Sequence, residues 1–484
     1  MITGMMSIPV PALRALLPAL SFLLFTQHDP ALLTADSCLS RSYFGQYGQE
    51  SAFIVNEACL ASLNSLLSAG SITPLPDHEL QGQQVVWLAQ KAIDASLGPA
   101  APVEEVLRIL NNAQDFLVNG EEKQVTMGEY RQLPTVLQIH TGPLPSMVIA
   151  ASPDTVRILD TYLPPFWTYK PLPPSPIELK PISPAAVDRV KSILVSVKYD
   201  PAIASIVGSI SLQQLHEDIR YLTGEDPASG LVSRHSFSQG AREAAVWLKK
   251  QFEATGASCE LKPFLTGFAP NVICKYTAIE DTTETVLLSA HYDSRGSFGS
   301  TRAPGGDDDG SGTIALLSIA HAIARRGVAF RKNVQLCAFA GEEQGLLGSK
   351  AYARELYDAR ADLTLMIQAD MLGYHVPGEP AQLGLPETIG SVEVMQLVSN
   401  ISAIYSPELS VGFTAACCSD HQSFHELGYP ATQVFERAGP IADPMYHNSG
   451  DVSDREGYDF EQIRSIAKVQ FAALLHSAGF VYRN

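Results

Sequence analysis

Val286-Leu287-Leu288-Ser289-Ala290-His291-Tyr292-Asp293 is a short apolar run that stops abruptly on a histidine, a tyrosine and a carboxylate. Apolar stretches of this length, bounded by polar residues, read as buried strands, and the residues after them as the loops that leave the sheet. The pattern returns three times: residues 334–340 run into Gly341-Glu342-Glu343-Gln344-Gly345, residues 363–369 into Asp370, and residues 432–435 into charged residues. Helical periodicity falls near 311–325, 347–357, 391–404 and 460–476. Strands alternating with helices predict an α/β fold with a mostly parallel central sheet flanked by helices on both faces. Ligands bind such sheets outside the carboxyl ends of the strands, and that is where the unusual residues fall.

Among these residues the segment Gly305-Gly306-Asp307-Asp308-Asp309-Gly310-Ser311-Gly312 is the densest in charge. Adjacent carboxylates repel by about 1 kcal/mol or more per pair unless a cation neutralises them, so a bound metal is the economical explanation. A solvated acidic turn or helix N-cap is the alternative. Paired glutamates at a strand end, Glu342-Glu343, allow one to bind metal while the other takes a proton from water. A carboxylate two residues after a histidine, as in His291-x-Asp293, often orients a metal-bound imidazole, although on its own a loop histidine is more often just hydrogen-bonded. His447 lies in Tyr446-His447-Asn448-Ser449-Gly450-Asp451, before the last helix. His291, Asp308, Glu343, Asp370 and His447 offer nitrogen and oxygen without cysteine, a set that suits two Zn²⁺ ions sharing a carboxylate.

The remainder of the 484 residues sets the frame. A chain of this length exceeds one ordinary core, so a main domain of about 250–300 residues with a smaller companion is expected. A net charge of −18, with no basic stripe, argues against nucleic acid and anionic lipid as partners. Oligomeric state is not written in the sequence. An apolar run over residues 15–25 behind Arg14 has the shape of a signal peptide, giving residues 1–26 as a leader or signal anchor, with Ala35 as a weak cleavage site. No later stretch is apolar enough to span a bilayer, so the mature chain is expected off the membrane, secreted or in a secretory or vacuolar lumen. Eight prolines in 163–184 read as a linker, which separates a small α/β prosegment or accessory domain over 27–162 from a catalytic domain over 185–484. Within the former, 133–140 and 146–151 read as strands and 154–163 as a helix. Cys38 could pair with Cys59 and Cys259 with Cys274, while Cys337, in an apolar strand, reads as a buried thiol.

Taken in order, the motifs AHYDS, APGGDDDGSG, GEEQGLLGS, QADM, CSDH and YHNSGD resemble the M28 metallopeptidase family over roughly residues 210–480. That resemblance implies a zinc exopeptidase-like fold and a dizinc exopeptidase of leucyl aminopeptidase type. It implies that Asp308 bridges both ions and precedes a cis peptide, that His291 and Asp370 complete one site and Glu343 and His447 the other. It further implies that Glu342 is the general base, that Asp293 orients His291, and that Tyr446 hydrogen-bonds the tetrahedral intermediate. Met371 and Phe435 match positions that line the side-chain pocket. The sequence departs from some bacterial members at Phe413-Thr414-Ala415-Ala416-Cys417-Cys418, where they carry a spaced disulfide and a tyrosine, so preference for the N-terminal residue is left open. A carboxypeptidase of the same family, a dizinc deacylase and a glutaminyl cyclase are the alternative activities. A non-catalytic receptor-like domain would be expected to have lost ligands, and none is missing.

Overall fold

The computed structural model describes residues 21–482 apart from 30, 35–37, 64–69, 76–81, 117–133, 142–143, 178, 298 and 417. The chain divides into two compact units, one of residues up to 84 with 172–178, the other of 85–171 with everything from 179 onward.

The larger unit is organised by a six-stranded sheet in the order Ala431–Val434, Leu363–Ala369, Thr285–His291, Asn333–Phe339, Asn271–Tyr276, Ser258–Lys262. The first three pairings are parallel and the last two antiparallel. Because successive side chains of a strand point to opposite faces, the apolar runs feed two cores. Val286, Leu288, Val334, Leu336, Leu365 and Ile367 face one, covered by the helices Gln239–Ala254, Gly310–Arg326, Val392–Tyr405 and Phe460–Ala478. Leu287, Cys337, Phe339, Leu363 and Met366 face the other, against Tyr352 and Ala353 of the helix Leu347–Asp358 and Phe424 of His421–His425. This two-sided burial is why the strands read as continuous apolar runs rather than alternating ones.

The central helix shows how local sequence fixes the ends of such elements. Asp309 caps Gly310–Arg326 by accepting from the Gly312 amide, Gly327 closes it in the left-handed conformation at φ 59°, and Arg325 and Arg326 sit at the negative end of its dipole. The helix therefore starts at the glycine-flanked acidic segment. Its N-terminus brings Asp308 to the carboxyl edge of the sheet.

Residues 85–171 of the same unit form a four-stranded sheet, in the order Thr135–His140, Ser146–Ala151, Gln84–Gln90, Trp167–Pro171. Its core joins Val86, Leu88, Met147, Ile149 and Trp167 to the helix Val103–Phe116. The proline-rich stretch expected to be a linker is in part structural: Trp167–Pro171 is an edge strand paired with Gln84–Gln90, a place where proline's missing N–H is tolerated. The division expected at 163–184 falls instead near 84 and at the short excursion 172–178. The helix expected over 154–163 is shorter, Pro153–Arg157 followed by a 3₁₀ turn Leu159–Tyr162, and the strand expected from 133 begins at Thr135.

The smaller unit holds a second four-stranded antiparallel sheet in which Ser21–Gln27 lies between Glu50–Asn56 and Ser71–Leu75. Leu23, Leu24 and Phe25 are fully buried there. The end of the apolar run expected to be a leader, Ser21–Gln27, is paired in this sheet on both sides. Residues 1–20, the rest of that expected leader, and Ala35, the expected cleavage site, lie outside the described residues. Cys38–Cys59 and Cys259–Cys274 are disulfides, Cys337 is a buried thiol, and Cys418 is also disulfide-bonded. Among the described residues no helix is long and apolar enough to cross a membrane.

Candidate metal centre

Four of the five expected ligands are placed by the carboxyl edge of the sheet or the helix that starts there. His291 ends one strand, Asp370 follows another, Glu343 lies in the turn after a third, and Asp308 precedes the helix Gly310–Arg326. His447 arrives from a loop. The His291 Nε2 lies 3.3 Å from one oxygen of Asp308 and 3.7 Å from Asp370. The His447 Nε2 lies 3.2 Å from the other oxygen of Asp308 and 3.1 Å from Glu343. One carboxylate thus faces both imidazoles, one oxygen each.

The three adjacent aspartates divide the work. Asp309 lies close to His291 and Asp370, and on distance alone it would join them as a ligand. Its oxygens, however, accept from the amides of His291 at 3.0 Å, Gly312 at 2.9 Å and Met371 at 3.2 Å, which commits it to holding backbone. Asp307 turns away and accepts from the Gly373 amide at 2.6 Å. Asp308 is left between the histidines, and the peptide joining it to Asp309 is cis.

A cation fits this donor set. Two donors about 2.1 Å from a tetrahedral zinc lie about 3.4 Å apart, close to the separations found here. Direct hydrogen bonds between charged partners would be shorter, about 2.7–2.9 Å. The His291 Nε2 and the Glu343 Oε1, both buried, have no hydrogen-bond partner, which is what a ligand atom looks like without its ion. Charge accounts for the rest: burial alone would lower the His291 pKa, but Glu342 nearby and contacts with Asp293, Asp308 and Asp370 hold it well above the ordinary histidine value.

Asp293 is the hub behind the ligands. Its Oδ1 lies 3.5 Å from the His291 Nδ1 and accepts from the Glu342 amide at 3.3 Å. Its Oδ2 accepts from the Ser236 hydroxyl at 2.8 Å and the Glu343 amide at 3.4 Å. Asp293 therefore fixes the imidazole, whose Nδ1 lies 3.2 Å from the Asp293 backbone carbonyl, and through its carboxylate the glutamate pair. Burial, followed by the negative charges of Asp370, Glu343 and Asp420, pushes the Glu342 carboxyl well above the usual range despite the opposing His291.

Several supporting residues escaped sequence reading. Asp451, quoted in its motif without a role, accepts from the amides of Asp307 at 2.9 Å and Asp308 at 3.0 Å. The buried Arg234 donates to the carbonyls of Tyr292 at 2.7 Å and Gly305 at 2.9 Å, tying the first histidine loop to the acidic one. Arg295, four residues beyond His291, places its Nη1 2.8 Å from the His447 Nδ1. This contact runs against the usual pattern, in which a metal-bound histidine donates its second N–H to an acceptor, because a guanidinium can only donate. A basic residue amid so many acids was the available signal for Arg295. Tyr446 is buried, with its ring stacked on His447 at 3.7 Å between centroids. Met371 and Phe435 share one apolar cluster with it.

Two histidines and three carboxylates thus meet at the carboxyl edge of an α/β sheet, a donor set that fits the class of metal-dependent hydrolases. Residues 271–473 match peptidase family M28. The protein is 29% identical over 292 residues to a probable leucine aminopeptidase of Arthroderma otae, covering 56% of this chain and 74% of that protein. Its fold is similar to that of LapB from Legionella pneumophila, with a TM-score of 0.58 and 17% identity across 82% of this chain and all (100%) of that one. The LapA aminopeptidase of the same organism gives 0.55 and 15% identity, across 83% of this chain and 100% of that one. At such identities the likeness is one of fold, and it reaches well beyond the span that matches the family.

Proposed function

We propose that the protein is a zinc-dependent aminopeptidase that removes N-terminal residues from peptides. The observation that carries this reading is Asp308 set with one oxygen against each of His291 and His447. His291 and Asp370 would hold one ion, Glu343 and His447 the other, and Asp308 both. When bound, the cations would lower the pKa of a water and polarise the scissile carbonyl. Glu342, with its raised proton affinity, takes a proton from the attacking water and returns it to the leaving nitrogen. Asp293 keeps the His291 ring and the Glu342 backbone in register. The Tyr446 hydroxyl donates to the developing oxyanion. Met371 and Phe435 receive an apolar side chain, and the acidic surroundings of Glu342 favour a substrate bearing a cationic α-amine. The disulfides support residence in an oxidising compartment, extracellular or luminal.

Metal analysis of the purified chain, together with mass-spectrometric ordering of the residues released from one peptide, tests the reading. Two zinc ions per chain and stepwise N-terminal release, both abolished by chelation, are expected. Release from the C-terminus would transfer the site to a carboxypeptidase, and pyroglutamate formation without hydrolysis to a cyclase.

A further inference from the structure

The apolar cluster beside His447 is not built by the peptidase sheet alone. Met371, Ala416, Phe435, Ile441 and Tyr446 form its buried part, and Ile93 and Phe166, both from the 85–171 sheet region, pack into it. Ile93 bridges to Ile441, where the Asp94 amide donates to the Ile441 carbonyl at 2.7 Å and the Ile441 amide to the Ala92 carbonyl at 3.1 Å. Phe166 sits just before the edge strand Trp167–Pro171 with φ 66°, a conformation disfavoured for a bulky residue. Its carbonyl accepts from the Lys91 amide at 2.8 Å. On either side of it, the Arg295 guanidinium donates to the carbonyls of Leu163 at 3.0 Å and Trp167 at 2.9 Å. The Phe166 ring lies nearly parallel to that of Tyr446, 8° between planes and 6.4 Å between centroids, and Tyr446 in turn stacks on His447.

Strained backbone collects at this place. Of the six described non-glycine residues with positive φ, Phe166, Met371 and His447 all belong to or adjoin the cluster. Such conformations persist where surrounding structure over-determines them, and they cluster at ligand sites. Here the surroundings are the Arg295 clamp and the ring stack, and what they hold in place is the half-buried Phe166 ring.

We propose that Phe166 is a specificity-determining residue, the far wall that limits the size of the N-terminal side chain accepted, so that the 85–171 sheet is a lasting part of the active site. This rests on the aminopeptidase reading. The test measures kcat/KM of the zinc-loaded wild type, Phe166→Ala and Phe166→Leu for substrates with N-terminal Ala, Leu and Phe, with calorimetric binding of free leucine and phenylalanine alongside. Truncating the wall should raise the Phe-to-Ala ratio of kcat/KM about tenfold in Phe166→Ala, mainly through KM, and less in Phe166→Leu. The ratio of phenylalanine to leucine affinity should move the same way. An equal fall for all three substrates, or unchanged ratios, would overturn the proposal and leave Phe166 a packing residue. If Phe166→Ala does not fold, Phe166→Leu decides by the same ratios. A wild type that releases none of the three residues overturns the aminopeptidase reading, and this inference with it.

Discussion

His447 is held from two sides, and the two sides are built differently. On one, the loops at the carboxyl edge of the large sheet present ligands whose backbones are tied by carboxylates: Asp293 to the glutamate pair, Asp309 to His291 and Met371, Asp451 to Asp307 and Asp308. On the other, residues 160–167 reach the site through carbonyls on Arg295, one ion pair and a stack of rings. The first arrangement demands particular residue types, because only certain atoms bind cations or move protons. The second demands shape and reach, which many side chains supply. Substitutions on the first side should therefore abolish turnover, and on the second side retune it.

The sharpest test of that contrast is Asp308→Ala, which removes the one carboxylate facing both histidines. It should lose both cations and activity together, seen as metal content and hydrolysis of an N-terminal leucyl substrate; retention of two ions would show that Asp308 bridges nothing. Glu342→Gln should keep its metal and lose about 10²–10⁴-fold in kcat, the range of general acid–base catalysis. Full turnover in that variant would take Glu342 out of the mechanism. Crossing to the second side, Arg295→Met leaves every ligand in place and removes the clamp behind His447. A fall of up to about 10²-fold in activity is expected from the loosened His447 ring, the cost of a small misplacement of a positioned group. No change would mean that the stack on Tyr446 suffices to hold the ring.

The same contrast explains what could be read from the sequence. The strands around His291, Glu343 and Asp370 were legible because each is a fully buried run ended by residues that no core tolerates. The helix Gly310–Arg326 was legible from its apolar periodicity over 311–325. The role of Phe166 was not, because a phenylalanine among prolines carries no chemistry, and its partner Tyr446 is remote in sequence. Arg295 stood in plain sight beside His291, but its partners Leu163, Trp167 and His447 come from two distant segments. The apolar run that ends at Phe25 had the composition of a leader, while the strand pairing of its end with Glu50–Asn56 and Ser71–Leu75 depends on segments remote in sequence.

The smallest expected effect belongs to the charged fastening of the second side. The buried Asp160 lies 2.5 Å from the His235 Nε2 and accepts from the Gln344 side chain at 3.0 Å. Burial raises the Asp160 pKa, but His235 and then Arg295 outweigh it and hold the carboxyl below its usual range. Burial lowers His235, but Asp160 outweighs it and holds the imidazole above its usual range. A depressed carboxyl stabilises the fold above the ordinary carboxylate pKa and loses that as pH falls through its own value. A raised histidine stabilises below about pH 6.5 and loses that as pH rises through its own value. The pair therefore contributes most between about pH 4 and 6.5. Asp160→Asn, which keeps the shape and the Gln344 acceptor, should cost on the order of 1–3 kcal/mol near pH 6, with the gap to wild type narrowing toward pH 9. Thermal unfolding of both proteins at pH 6 and 9 measures that gap. A gap that stays constant across this range would mean that Asp160 holds His235 as a neutral hydrogen-bond partner, and that residues 160–167 are fastened by shape and backbone contacts alone.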